Sequence, residues 1–164
     1  MVDMDKDTTH SGTVLIAEHH SPTIRLLELA FEEVAPEVTV EFVNTGTAAI
    51  ERLASVEDGA RRPELVLLDL NLPLKSGHDV LRWRMGSDDV GRIPVVVVSD
   101  TSDPTAARLC YDLNAQAFIS KPQGWEGFLD LTSVLVKHWF QYAESPAIQF
   151  PSDGAQSEFE PTER

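Results

Sequence analysis

Two stretches of this chain are almost wholly apolar: ELVLLDL at 64–70 and IPVVVVSD at 93–100. A strand that alternates apolar and polar residues buries one face, but a strand apolar at every position must be covered on both. Three more strand-like runs, TVLIA (13–17), VTVEFV (38–43) and QAFIS (116–120), are spaced along the same chain. Between and after them lie helix-patterned segments at 21–35, 47–59, 78–86, 103–115 and 124–144. Five strands alternating with five helices predict right-handed βαβ crossovers and an α/β, doubly wound, five-stranded parallel sheet with helices on both faces.

Local signals mark the joints. Ser21 is the expected cap of the first helix, with Pro22 at its first position, and Ile24, Leu27, Phe31 and Val34 are expected on its buried face. Gly59 suits the end of the second helix, and Asp103-Pro104 suits the start of the fourth. Asn114 suits a left-handed helix end. Trp83, Trp125, Trp139 and Phe140 fall on helices, most of them as core or core edge. Residues 1–11 read as a disordered arm, 12–143 as the folded domain, and 144–164 as a flexible acidic tail.

Ligands of doubly wound sheets bind at the carboxyl ends of the strands, so the residues there are the candidate site. The first strand ends in Glu18-His19, the third in Asp69, the fourth in Ser99 and the fifth in Lys121-Pro122. No glycine-rich phosphate loop follows the first strand, which disfavours a small enzyme or cofactor binder of this fold class.

An acid, a lone aspartate, a hydroxyl and a lysine on successive strand ends resemble the receiver domain of two-component response regulators. The resemblance covers roughly residues 12–142 and is most specific in VLLDLNLPLKSGHDVL (66–81), IPVVVVSDTSDP (93–104) and AFISKP (117–122). In pattern the chain is similar to stand-alone receivers of the phytochrome-partner type. That resemblance implies a flavodoxin-like sheet of order 2-1-3-4-5. It implies Asp69 as phosphoacceptor, Ser99 and Lys121 as phosphoryl contacts, and Ser99 with Phe118 as the switch pair. Glu18, Asp69 and the backbone carbonyl of Asn71 would hold Mg²⁺, and the Lys121-Pro122 turn would be rigid, with a cis bond in view. The implied partners are a sensor histidine kinase or phosphotransfer protein upstream, and a downstream protein met by the fourth helix, fifth strand and fifth helix, with a homodimer open. The module would signal in the cytoplasm, catalysing at most its own phosphorylation and dephosphorylation.

His19 departs from that pattern. The family has two adjacent acids where this chain has Glu18 and His19. Mg²⁺ prefers oxygen ligands and binds neutral imidazole poorly. Losing a carboxylate about 4 Å away forfeits attraction of order 4 kcal/mol at an effective dielectric near 20. Three readings of His19 stay open: a protonated ring that partly replaces the ion, a ligand for Mn²⁺ or another softer divalent ion, or a site that signals without phosphate. The last makes the chain a phosphate-independent interaction module. His20, His78 and His138 read as surface residues.

Charge sets the remaining limits. Acids outnumber bases by 27 to 13, for a net charge of −14, which opposes contact with a nucleic acid backbone. The first residues, MVDMDKDTTHSG, are polar and acidic, unlike a secretory signal, and no apolar run has the roughly 20 residues that a membrane span needs. The single cysteine, Cys110, permits no internal disulfide. Acid-rich, lysine-poor surfaces resemble those of halophile proteins, in which salt screens self-repulsion. The melting temperature is therefore expected to rise as KCl goes from about 0.1 M toward about 2 M, since the Debye length shrinks from about 10 Å to a few Å. Thermal unfolding at graded KCl checks this, and a flat or falling midpoint removes the halophile assignment.

Overall fold

The computed structural model describes residues 12–141. Five parallel strands, β1 (Thr13–Ala17), β2 (Thr39–Val43), β3 (Leu65–Leu68), β4 (Val95–Ser99) and β5 (Ala117–Ser120), form one sheet of order β2-β1-β3-β4-β5. The helices are α1 (Ser21–Val34), α2 (Gly46–Ala54), α3 (Gly77–Met85), α4 (Pro104–Asp112) and α5 (Gly124–Val136). The expected fold class and strand order are both present. The expected arm at 1–11, and the end of the last helix and tail beyond 141, lie outside the described residues.

The period of two along each inner strand divides the core in half. Leu15, Ala17, Val66, Leu68, Val95 and Val97 face α2, α3 and α4. Val14, Ile16, Leu65, Leu67, Val96 and Val98 face α1 and α5. Every residue of β1, β3 and β4 is buried, whereas β2 and β5, at the sheet edges, are partly exposed. This is why 64–70 and 93–100 are the apolar runs and why Glu41 is tolerated in β2.

One cap differs from expectation by one residue. His20, with extended backbone, is the cap position of α1, so Ser21 and Pro22 are its first two residues. The buried face of α1 is Thr23, Leu27, Ala30 and Phe31, with Ile24 and Val34 at its half-buried margins. At α3 a capping box forms: Ser76 Oγ accepts the Asp79 amide at 3.1 Å, and Asp79 accepts the Ser76 amide at 3.0 Å. Gly59 and Asn114 both take left-handed conformations, at φ 95° and 67°. Asp103 caps α4 by accepting the Thr105 amide at 3.0 Å. Among the described residues no peptide bond is cis, so Lys121-Pro122 is trans. The chain past α5 continues as one wider turn, Lys137–Gln141, from which Trp139 and Phe140 pack on the α1–α5 side of the core. Trp125 is more exposed than expected of a core residue.

The largest fully buried side chain is a charged one, Arg84 of α3. Its guanidinium donates to Ile93 O through Nη2 at 2.8 Å and Nε at 3.2 Å, and to Asn114 O through Nη1 at 3.3 Å. Burial lowers its pKa from the ordinary value. One side chain thus ties α3 to the entry of β4 and the turn before β5. Arg84→Met keeps much of the volume but leaves both carbonyls without this donor. The expected cost is about 2–3 kcal/mol. Urea unfolding checks it, and a loss under about 0.5 kcal/mol, the range of ordinary surface changes, removes Arg84 from that role.

Candidate functional site

The sheet ladder brings the strand-end residues together. The Asp69 amide donates to Ala17 O at 3.0 Å, which sets Asp69 beside Glu18 on the neighbouring strand. On the other side the Lys121 amide donates to Ser99 O at 2.8 Å, continuing the β4–β5 pairing past its last residues. Parallel strands present their carboxyl ends at one edge, so residues from four strands gather there.

Asp69 and Glu18 are both buried, and Lys121 is 7% exposed. The Lys121 ammonium donates to Glu18 Oε2 at 3.0 Å and Oε1 at 3.1 Å and stands 3.5 Å from Asp69 Oδ2. It lies 3.7 Å from Asp100, an exposed residue. Glu18 Oε1 also accepts the His20 amide at 3.0 Å, and Asp69 Oδ1 accepts the Asn71 amide at 3.3 Å. His19 is 44% exposed and turns Nδ1 to within 3.8 Å of Asp69 Oδ2. Glu18, His19 and Asp69 each offer one ligand atom, all within 4.8 Å of one another. These three form a set able to hold a cation.

The β3–α3 loop closes over Asp69 only because residue 77 has no side chain. A Cβ on Gly77 would come within 2.5 Å of Asp69 O, and the Gly77 amide donates to Leu70 O at 2.9 Å. Ser99 is buried, and its Oγ accepts the Thr101 amide at 3.3 Å. Phe118 packs, half-buried, on the α2–α3–α4 side, and its amide donates outward to the Tyr111 hydroxyl of α4 at 3.1 Å. Glu18, His19, Asp69, Asn71 and Lys121 therefore converge, while Ser99 is joined to them through its carbonyl and the Lys121 amide, and Phe118 packs with the α2–α3–α4 core instead. Sequence reasoning overlooked Asp100 and Thr101. The polar run SDTSDP after β4 was their only signal. His20 is exposed, as expected, and its ring Nδ1 lies 2.9 Å from Thr23 Oγ1.

The site's charges are unequal. Burial raises the Glu18 pKa above its ordinary value of 4.5, against the hydrogen bonds from Lys121 and the His20 amide that lower it. Burial acts to lower the Lys121 pKa, but the hydrogen bond to Glu18 and the charges of Glu18, Asp69 and Asp100 outweigh it and leave the value raised. Two buried acids compete for one cation, so the ammonium keeps its proton while Glu18 is protonated more readily. A raised lysine value contributes stability that is complete below the unfolded pKa and fades as pH climbs through the folded one. Metal-free wild type is thus expected to be more stable than Lys121→Met at neutral pH, and the gap to close only above about pH 10.5, the ordinary lysine value. Urea unfolding in EDTA across the alkaline range checks this. Equal stability of the two proteins at neutral pH would show that Lys121 does not act through its charge.

Comparison with known proteins gives a consistent result. The family model described as response regulator receiver domain matches residues 14–131. The chain is 30% identical to the "Probable methanogenesis regulatory protein FilR2" of Methanothrix harundinacea, over 81% of this chain and 86% of that one. It is 25% identical to response regulator Rcp1 of Synechocystis, over 88% of this chain and 99% of that one. Among solved structures, the phosphorylated cyanobacterial phytochrome response regulator RcpA superposes with a TM-score of 0.75 at 29% identity, covering 82% of this chain and 98% of that one. The Mn²⁺-bound form of Rcp1 superposes with a TM-score of 0.71 at 25% identity, covering 79% and 95%. With its sheet order, its strand-end acids and lysine, and a family match over most of its length, the chain belongs to the response regulator receiver family.

Proposed function

We propose that this chain is the receiver of a phosphorelay, taking a phosphoryl group onto Asp69 from the phosphohistidine of a sensor kinase or phosphotransfer protein. The observation that carries this is the setting of Asp69, a buried carboxylate at a central strand end with the Lys121 ammonium 3.5 Å from one oxygen and the Asn71 amide on the other. An Asp69 oxygen attacks phosphorus while the P–N bond to the donor imidazole breaks and its electron pair leaves with the ring. Charge on the transferring oxygens has to be met by fixed donors and cations. Lys121 supplies one such charge, and the Ser99 hydroxyl, at the end of the adjacent strand, donates to a phosphoryl oxygen. Phe118 then responds through its packing against the α4 side.

Glu18, Asp69 and the Asn71 carbonyl are the groups that would hold a divalent ion, whose charge offsets the repulsion between phosphoryl and carboxylate oxygens when bound. With His19 in place of a second acid, Mg²⁺ is held weakly. The related structures, one of phosphorylated RcpA and one of Mn²⁺-bound Rcp1, support an acceptor and an ion site here.

Output runs through protein contact at the face of α4, β5 and α5, where Tyr111 is half exposed and hydrogen-bonded to β5. The protein acts in the cytoplasm, at high salt, as a signalling module whose only chemistry is its own phosphorylation and dephosphorylation. Among the described residues no helix is long and apolar enough to cross a membrane. A second reading, a phosphate-independent interaction module, is favoured by one observation: His19 supplies no fixed negative charge for a cation.

Incubation with acetyl phosphate, with and without divalent ions and read by intact mass, tests the proposal. One added phosphoryl group is expected in the wild type and none in Asp69→Asn. Labelling of the variant at the wild-type rate removes the assignment, and absence of labelling with every ion leaves the interaction module ahead.

A further inference from the structure

We infer that His19 makes this site discriminate against Mg²⁺ in favour of ions that bind imidazole: Co²⁺, Ni²⁺ and Zn²⁺. The inference rests on the strand-end cluster being the ion site of the proposed receiver. It concerns which ion that site selects.

The donor set is two buried carboxylates and one half-exposed imidazole. Donors about 2.1 Å from an octahedral ion stand about 3.0 Å apart when adjacent and about 4.2 Å apart when opposite. His19 Nδ1 and Asp69 Oδ2, at 3.8 Å, lie between those two spacings. With 44% of the His19 side chain exposed, the ring has room for the small rotation that either arrangement needs. Glu18 and Asp69 are fixed by their strands and by backbone donors, so the ring is the adjustable ligand.

Charge then decides which ions accept that set. Lys121 already lies against both Glu18 oxygens and near Asp69, so two carboxylates and one ammonium leave a single net negative charge among these three groups. An acid at position 19 would double it. A hard ion such as Mg²⁺ is held mainly by charge and sheds its water reluctantly, so the smaller charge weakens it directly. Ions further along the first-row series gain from the nitrogen lone pair, which His19 supplies and an acid would not. The exchange of a carboxylate for an imidazole lowers affinity for one class of ion and raises it for the other.

The test uses the full chain stripped with EDTA, titrated calorimetrically with Mg²⁺, Mn²⁺, Co²⁺, Ni²⁺ and Zn²⁺ at one KCl concentration, without phosphodonor. All-oxygen sites also favour the later ions to some degree, so the effect of removing the ring is the deciding comparison. His19→Gln is expected to weaken Ni²⁺ by about tenfold or more while leaving Mg²⁺ nearly unchanged. His19→Asp is expected to tighten Mg²⁺ by about tenfold or more and to narrow the ratio between Ni²⁺ and Mg²⁺. His20→Ala is expected to change neither, since its ring is turned to Thr23. Paramagnetic shift of the His19 ring resonances by Co²⁺ gives the direct signature of ligation. Wild type that binds Mg²⁺ as tightly as Ni²⁺, or binds no ion, overturns the inference, as does equal Ni²⁺ affinity in His19→Gln. Ion selectivity that holds while Asp69 never labels would instead remove the phosphoacceptor assignment and leave this inference standing.

Discussion

A single ammonium group lies between two buried carboxylates, and much of this molecule's design follows from that contact. Lys121 touches both oxygens of Glu18 and approaches Asp69, and all three side chains are nearly withdrawn from water. Buried charges of one sign repel strongly in low dielectric, so neither acid is tolerable there without a cation. The acids come from β1 and β3, in the middle of the sheet, and the lysine comes from beyond the edge strand β5. Position along the β4–β5 ladder, through the Lys121 amide on Ser99 O, is what carries the ammonium across β4 to reach them. Under the proposed function the same ammonium would also offset the charge of a phosphoryl group, since the carboxylate meeting it is itself an anion.

The architecture was legible because burial on both faces leaves an unmistakable trace in β3 and β4. Gly59, Asp103 and Asn114 could be placed from their own chemistry, as each meets a local backbone need that few residues satisfy. The cap of α1 slipped by one residue, because the neighbouring polar residues His20 and Ser21 compete for the same role and only the backbone decides between them. The convergence of Glu18, Asp69 and Lys121 could be anticipated by resemblance, but not the sharing of Lys121 with Asp100. That contact depends on how the β4–α4 turn bends after Ser99. Arg84 was invisible for a different reason. A helix-borne arginine reads as solvated, and nothing in WRM shows that Ile93 and Asn114 will offer it their carbonyls.

Two cations held inside the protein, Arg84 and Lys121, act at opposite ends of the sheet and in different ways. Arg84 sits near the amino ends of β4 and β5, where it is satisfied by neutral carbonyls and serves as a clamp. Lys121 sits at the carboxyl ends, facing full negative charges that an incoming ion or phosphoryl group would redistribute. The clamp has fixed partners, while the lysine has partners that can be outbid. The β4–α4 turn lies at that second end, and farther along α4 the Tyr111 hydroxyl accepts the Phe118 amide of β5.

Cys110 lends the molecule an unplanned use. The thiol is fully buried on α4, packed into the core on the α2–α3–α4 side, with His78 Nε2 3.6 Å from its sulfur, and burial raises its pKa. A thiol that is both covered and protonated does not react with alkylating reagents while α4 is seated. It reacts only during excursions in which the helix lifts away or the chain unfolds. Because the sequence contains one cysteine, every modified molecule records such an opening at a known place. The native chain therefore carries its own clock for the motion of α4, with no label to introduce and no residue to replace.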